Sequence, residues 1–241
     1  NSAAVPKVVT YLTGDQADVN TLAQPGLILM GGGTDVDEAI NWFLQRSGGG
    51  DVVVIRATGA DGYNTYMYNM VNVNSVETII IDSRTKAGLT EVEQKIRNAE
   101  ALFIAGGDQW DYVNFWKDTP VENAINYLIN TKHVTVGGTS AGLAILGSAY
   151  FSASAGTVTS AQALANPYNK SMTLGQNNFI ASTLLQNTIT DSHYTQRDRQ
   201  GRHITFLAKL MKDFGNVAVK GIGIDNMQLL IYNRWGELVF E

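Results

Sequence analysis

Short apolar runs alternate with amphipathic segments of helix length along most of this 241-residue chain. Runs such as LILM at 27–30 and VVVI at 52–55 contain no polar residue, which is typical of parallel strands covered on both faces. Strands are predicted at 27–30, 52–56, 78–81, 101–105, 134–136 and 217–224, and helices at 36–46, 90–98, 121–130 and 202–212. This alternation predicts an α/β fold with a doubly wound, mostly parallel sheet and helices on both faces, and we expect a single domain over 1–241.

Composition excludes several classes of protein. Hydrophobic residues make up 44% of the chain and charged ones 16%, which is enough apolar material for a sizeable core. The net charge of −5 argues against nucleic-acid binding, because phosphates are neutralised by clustered Lys and Arg. There is no cysteine, so disulfides and thiolate chemistry are excluded, and the three scattered histidines predict neither a metal site nor a cofactor. No apolar run approaches the ~18 residues of a membrane span, so we expect no membrane insertion.

Glycines stand at the ends of the predicted strands. Gly-Gly pairs or triplets follow the apolar runs at 31–33, 106–107 and 137–138. Because open α/β sheets bind ligands at the carboxyl ends of their strands, these glycines predict the edge at which a site lies. A nucleotide-binding module is disfavoured, since the run at 31–33 lacks the G-x-G-x-x-G spacing and no P-loop motif occurs.

The motif Gly138-Thr139-Ser140-Ala141-Gly142 lies between a predicted strand and an apolar helix start. A serine on such a sharp turn projects its hydroxyl above the sheet, and the N–H of Ala141 can donate to an oxyanion. Ser140 is therefore the candidate nucleophile. An ordinary glycine-rich turn is the alternative.

A serine nucleophile needs a general base, and His193 is the best candidate among the three histidines. His133 lies at the opposite end of the strand, roughly 20 Å away at ~3.3 Å per residue. His203 falls within an apolar helical pattern, whereas His193 lies in a polar, charge-dense segment. The alternative for His193 is a surface-loop histidine.

Three segments, taken in order, resemble the cyanophycinases, in the serine peptidase family that also holds aspartyl dipeptidase. They are the GGDQ turn at 106–109, the serine motif at 138–142, and the pattern D-x-H-x-x-x-R-x-R-x-x-R at 191–202, with further similarity at 29–38, 163–168 and 221–225. The resemblance implies a flavodoxin-like fold related to class I glutamine amidotransferases. It also implies exopeptidase cleavage of cyanophycin, a poly-aspartate that carries arginine on its side chains, to β-aspartyl-arginine dipeptides.

The resemblance also implies roles for particular residues. Ser140 would be the nucleophile and His193 the base, with the N–H groups of Gly107 and Ala141 as the oxyanion pair. The substrate-binding residues would be Asp108, Gln109, Asp191, Arg197, Arg199 and Arg202. The residue types also suit this substrate apart from the resemblance. An aspartate can pair with the guanidinium of the substrate, and an arginine fork can pair with its free carboxylates. The alternatives are a solvated, salt-bridged face for the arginines and a helix-start residue for Gln109.

The acid that would orient the histidine is missing from its expected segment. Residues 141–190 contain no Asp or Glu, and Gln162 stands at or near the position where the family tends to carry an acid. We expect the Gln162 amide to accept the N–H of His193, with Asp191, Asp225 and Asp108 as alternatives. Asn226 likewise stands where an acid is expected. Losing the acid's charge can cost on the order of 10⁴ in rate.

Two other functions therefore stay open, a related β-aspartyl or aspartyl peptidase and a catalytically impaired binding homologue. An α/β-hydrolase esterase is disfavoured, because that fold places its acid between serine and histidine and only Asp191 lies there. The resemblance also implies a possible homodimer and a bacterial protein, secreted or periplasmic rather than cytoplasmic.

Overall fold

The computed structural model describes residues 6–233 and 235–240, which contain two β-sheets. The strands are β1 (Val9–Gly14), β2 (Gly26–Met30), β3 (Asp51–Arg56), β4 (Ser75–Ile80), β5 (Ala101–Ile104), β6 (Thr135–Thr139), β7 (Ala149–Phe151), β8 (Leu174–Gln176), β9 (Thr188–Asp191), β10 (Lys220–Gly223), β11 (Leu229–Asn233) and β12 (Leu238–Phe240). The large sheet has eight strands in the order β1-β4-β3-β5-β6-β2-β11-β12. Its five central strands are parallel, and the edge strands β1, β11 and β12 pair antiparallel.

Helices cover both faces of the large sheet. They include α1 (Asp37–Gln45), α2 (Gly62–Tyr68), α3 (Arg84–Ala87), α4 (Thr90–Asn98), α5 (Gln109–Trp116) and α6 (Pro120–Tyr127), followed by a π-helical turn (Leu128–Lys132). Alternate residues of each strand point to opposite faces. Thus Val52 and Val54 pack with α1 and α2, while Val53 and Ile55 pack with the helices on the other face. The doubly wound α/β fold expected from the sequence is confirmed.

Helix α1 shows how the sequence produces this packing. Ala39, Ile40, Phe43 and Leu44 recur at helical spacing and are all buried against the sheet. The acidic residues Asp37 and Glu38 lie in its first turn, where a negative charge is favourable beside the positive end of the helix dipole.

The smaller sheet is built from the chain that follows Ser140. Its order is β10-β9-β7-β8, and it packs with α8 (Ser160–Ala165) and α9 (Gln200–Asp213) around Phe151, Ile189 and Phe206. The strand predicted at 217–224 belongs here as β10 and not to the large sheet. A short helix α7 (Ala141–Ala144) and a 3-10 turn (Thr183–Leu185) complete the described elements. No helix in the described ranges is long and apolar enough to cross a bilayer.

Candidate active site

Ser140 occupies a strained turn between β6 and α7. Its φ of 52° and ψ of −113° are unusual for a residue with a side chain. The two neighbouring glycines leave no room for a side chain. A Cβ on Gly138 would lie 2.6 Å from the carbonyl carbon of Gly142, and a Cβ on Gly142 would collide with the carbonyl oxygen of Ile104. The G-x-S-x-G spacing thus produces the sharp strand-to-helix turn that the sequence predicted.

His193 meets Ser140 at hydrogen-bonding distance. The Oγ of Ser140 lies 2.8 Å from the Nε2 of His193. His193 follows β9 with a positive φ of 46°, and its N–H donates to the carbonyl of Gly31 at 2.9 Å. The side chain is largely buried, so the ring is held against the end of β2 and does not move freely in solvent.

The far side of the imidazole is held by Asn226. The Nδ1 of His193 forms a short hydrogen bond with the Oδ1 of Asn226, which can only accept. Nδ1 is therefore the protonated nitrogen, and Nε2 is free to accept the proton of the Ser140 hydroxyl. The loop is fixed in turn by Gln196, whose Oε1 accepts the N–H of Asn226 at 3.1 Å, and by Asp225, whose Oδ1 accepts the N–H of Thr195 at 2.6 Å.

Burial lowers the pKa of His193 below its ordinary value of 6.5. The hydrogen bond to Asn226 acts in the opposite direction, and the positive charges of Arg197 and Arg199 lower the pKa further. The imidazole is therefore neutral at pH 7, as a general base must be.

The expectation that Gln162 orients His193 is wrong. Gln162 is exposed on α8, where its Oε1 accepts the N–H of Thr159 at 3.0 Å and its own N–H donates to the hydroxyl of Thr159 at 3.2 Å. These two bonds form a capping box at the start of the helix. Asn226, in the loop before β11, takes the position on the imidazole instead.

Asp191 and Arg202 also lie elsewhere than expected. Both are 2% exposed, and the guanidinium of Arg202 binds the carboxylate of Asp191 through two bonds of 2.8 and 2.6 Å. Arg199 donates to the same carboxylate at 3.3 Å and to the carbonyl of Ser192 at 2.8 Å. The two guanidiniums outweigh the single carboxylate, so one positive charge remains beneath the loop that carries His193. Asp191 and Arg202 are too deeply buried to contact a substrate.

Of the other expected substrate residues, Gln109 is held by a hydrogen bond within the fold, whereas Asp108 and Arg197 are exposed. The Nε2 of Gln109 donates to the carbonyl of Phe151 at 2.5 Å and links α5 to the small sheet. Asp108 is exposed and caps α5 by accepting the N–H of Trp110 at 2.9 Å. Arg197 is exposed as well, and its charge acts on His193. Asp108 and Arg197 are the members of this set that stay accessible.

Of the two expected oxyanion residues, Ala141 directly follows Ser140, and Gly107 follows Gly106, which lies beside Ser140. The N–H of Ala141 is the first of helix α7, so it has no acceptor within the helix. The GGDQ turn lies alongside, because a Cβ on Gly106 would be 3.5 Å from the Cβ of Ser140. The next residue, Gly107, packs under the hydroxyl of Tyr112, which would lie 2.8 Å from an added Cβ.

Gly32 is a site residue that the sequence did not single out. It is buried with a φ of +102°, and a Cβ there would lie 2.6 Å from the Nε2 of His193 and 3.1 Å from the Cβ of Ser140. The glycine run at 31–33 predicted which edge of the sheet carries the site, but it did not indicate that Gly32 contacts Ser140 and His193. Its contact with the Ser140–His193 pair depends on the fold.

The arrangement can remove a proton from a serine hydroxyl and return it to a leaving group, beside backbone N–H groups. Among the described residues, no three His, Asp or Glu side chains converge as metal ligands. The sequence profile of peptidase family S51 matches residues 27–235. This chain belongs to peptidase family S51. It is a serine-type peptidase, and the resemblance found in the sequence is confirmed at the level of the family.

Several curated relatives of this S51 peptidase are cyanophycinases. It is 24% identical to the cyanophycinase of Nostoc sp. over 222 residues, which are 88% of this chain and 69% of the relative. It is 22% identical to that of Geminocystis herdmanii over 218 residues, which are 86% and 74% of the two chains.

Solved structures share the fold of this S51 peptidase. A peptidase from an acI-B1 Actinobacterium matches with a TM-score of 0.59 at 14% identity, over 88% of this chain and 84% of the other. A putative peptidase E protein from Listeria monocytogenes matches with a TM-score of 0.56 at 17% identity, over 91% and 98%. At these identities the likeness concerns the fold.

Proposed function

We propose that this S51 peptidase is an exopeptidase that hydrolyses cyanophycin to β-aspartyl-arginine dipeptides, with Ser140 as nucleophile and His193 as base. The observation that carries the catalytic part is the 2.8 Å approach of the Ser140 Oγ to the His193 Nε2. The choice of substrate rests on the cyanophycinases among the relatives and on the sequence motifs.

The reaction follows from the positions of these groups. As the Ser140 Oγ attacks the scissile carbonyl carbon, the Nε2 of His193 takes its proton. The negative charge that develops on the carbonyl oxygen is stabilised by the N–H groups of Ala141 and Gly107. His193 then returns the proton to the leaving amine, leaving an acyl ester on Ser140, and a water activated by the same histidine hydrolyses that ester.

Asn226 supports an active enzyme over a binding homologue. Its Oδ1 accepts from Nδ1, so the imidazole keeps the tautomer that a general base needs, although the partner of Nδ1 is an amide and not a carboxylate. A neutral amide in this role is also found in the Cys-His-Asn peptidases. The exposed pair Asp108 and Arg197 suits a substrate unit with both a guanidinium and free carboxylates.

Dipeptide release and covalent labelling of Ser140 test the proposal. Cyanophycin would be incubated with the wild type, with Ser140→Ala, and with Ser154→Ala, a control at an exposed serine. We expect the wild type and the control to release β-aspartyl-arginine and to react with a fluorophosphonate at Ser140. Ser140→Ala should do neither. A wild type that resists the probe would be a binding homologue, and one that is labelled but leaves cyanophycin intact would act on another peptide.

A further inference from the structure

Arg56 lies at the same edge of the large sheet as Ser140. It is the last residue of β3, and the registers of β3 with β5 and of β5 with β6 place it level with Thr139. Neighbouring strands are ~4.8 Å apart, so the backbone of Arg56 lies roughly 10 Å from β6 at the level of Thr139. A side chain as long as arginine's can span much of that distance.

Among the described residues, the guanidinium of Arg56 bonds to main-chain carbonyls. Its Nε donates to the carbonyl of Thr58 at 2.5 Å and its Nη1 to that of Ala60 at 3.3 Å. Within the described ranges no carboxylate lies within 4 Å of its nitrogens, in contrast to Arg199 and Arg202. Arg56 is also partly exposed. It therefore presents a full positive charge, held in place by its own loop, to whatever occupies this edge.

The charge of Arg56 acts on two tyrosines near the site. Burial raises the pKa of both Tyr63 and Tyr112, and the charge of Arg56 opposes that rise in each. Tyr112 donates to the carbonyls of Ala105 and Gly106, beside Ser140. Tyr63 donates at 2.7 Å to Asp35, so the carboxylate on this side of Arg56 already has a partner. Arg56 thus lies within electrostatic reach of groups on both sides of the edge.

We propose that Arg56 is a specificity-determining residue that binds a free carboxylate of the substrate. The inference rests on the proposed function, because each β-aspartyl-arginine unit carries free carboxylates that need a cationic partner. Of the three arginines expected in that role, Arg199 and Arg202 are bound to Asp191, which leaves Arg197 for one carboxylate and Arg56 for another. The planar fork of Arg56 matches a carboxylate through two hydrogen bonds.

Direct binding and kinetics of matched variants test the assignment. Arg56→Met and Arg56→Lys are compared with Arg84→Met, because Arg84 also donates to main-chain carbonyls, those of Asn114 and Lys117 at the end of α5. Steady-state kinetics on cyanophycin give KM and kcat separately. Calorimetry on each variant in a Ser140→Ala background measures binding of the β-aspartyl-arginine dipeptide and of its doubly amidated form.

We expect Arg56→Met to raise KM and weaken binding of the free dipeptide about 10- to 100-fold, the usual range for a lost charged hydrogen bond. Its kcat should change little, Arg56→Lys should fall between, and Arg84→Met should match the wild type. The amidated dipeptide should bind weakly and equally to all variants. Thermal unfolding shows whether each variant is folded. If Arg56→Met is misfolded, the binding and kinetics of Arg56→Lys decide whether Arg56 binds the carboxylate.

The outcomes separate the two proposals. Arg56 does not bind the substrate carboxylate if Arg56→Met binds the free dipeptide as the wild type does. The same follows if Arg56→Met weakens binding of the free and amidated dipeptides alike. In either case, cleavage of cyanophycin by the wild type still supports the proposed function. If the wild type leaves cyanophycin intact, the function is wrong, and carboxylate-dependent binding still decides the role of Arg56. Absence of dipeptide binding in every variant, with cyanophycin left intact by the wild type, overturns both.

Discussion

The amide of Asn226 fulfils half of what a carboxylate does in a serine peptidase. It fixes the imidazole of His193 in the tautomer that accepts a proton at Nε2. It brings no negative charge, so it stabilises the imidazolium that forms in the transition state less than an aspartate would. Burial and two nearby arginines also lower the pKa of that histidine. The surroundings of His193 thus favour its neutral form over its protonated form.

Asn226→Asp should change both the rate and its pH dependence. In the wild type, kcat/KM should rise with pH as His193 loses its proton, with an inflection below 6.5. A carboxylate beside Nδ1 favours the protonated ring, so the inflection should move to higher pH. The plateau should rise on the order of 10-fold, because the imidazolium gains a charged partner.

The pH profile of cyanophycin hydrolysis checks this expectation, with Asn226→Leu as the matched variant that removes the acceptor. That variant should lose at least 10²-fold in kcat, since nothing then fixes the tautomer. Superimposable profiles for Asn226→Asp and the wild type would show that the amide does not govern His193.

At the level of strands and helices, the sequence predicted the elements with a clear hydrophobic pattern, which are the continuously apolar strands and the amphipathic helices. The runs at 27–30 and 52–56 became β2 and β3, and the periodic segment 90–98 became α4. Strands β7, β8 and β9 were not predicted. The last of them, Thr188–Asp191, is buried yet mostly polar, so no apolar run reveals it. β9 is buried because β7 and β10, which are distant in sequence, pair with it on either side, and this pairing is not visible in the local sequence.

The candidate nucleophile Ser140 and the candidate base His193 were predicted from local sequence. Asn226 was noted only as standing where an acid is expected, and its contact with the imidazole was not predicted. Ser140 has a motif and His193 a polar segment, while Asn226 approaches the imidazole from a loop before β11. One local signal did bear on Gln162. The sequence Thr159-Ser160-Ala161-Gln162 matches the S/T-x-x-E/Q capping box, which predicts that the glutamine bonds within its own helix.

The loop after β2 should tolerate no side chain at Gly32. Gly32→Ala would place a Cβ 2.6 Å from the Nε2 of His193, so the imidazole has to move away from Ser140. We expect kcat to fall at least 10²-fold, because a displaced base no longer receives the serine proton. Steady-state assays and fluorophosphonate labelling of Ser140 measure the loss.

Gly156→Ala is the control for backbone strain. Gly156 also has a positive φ, of +81°, but an added Cβ meets nothing within 4 Å. Both variants should lose about 1–2 kcal/mol of stability from the left-handed conformation. If Gly32→Ala kept a kcat within twofold of Gly156→Ala, the loop would not contact the base in solution.

At the scale of the whole molecule, the site lies where the two sheets meet. Ser140 follows β6 of the large sheet, His193 follows β9 of the small one, and Asn226 lies in the connection from β10 to β11. The N–H of His193 donates to the carbonyl of Gly31 at 2.9 Å, so a main-chain hydrogen bond crosses this junction. The catalytic geometry therefore depends on how the sheets are held together.

The segment of the small sheet shares the core of the large one. Tyr150, Phe179, Ile180 and Leu185 are buried in the same cluster as residues of β2, β3 and β5. Unfolding the small sheet alone would expose these side chains and leave a cavity against the large sheet, which costs several kcal/mol. We therefore predict that residues 6–240 unfold as one cooperative unit, and that the site is lost only when the whole core is lost.

Urea titration followed by three probes tests this prediction. Far-UV circular dichroism reports the secondary structure, near-UV circular dichroism reports the packing of the aromatic core, and fluorophosphonate labelling reports the Ser140–His193 pair. Coincident midpoints are expected, because no part of the core can open alone. Labelling that disappears at a urea concentration well below the circular dichroism midpoint would mean that the small sheet detaches first, carrying His193 away from a large sheet that stays folded.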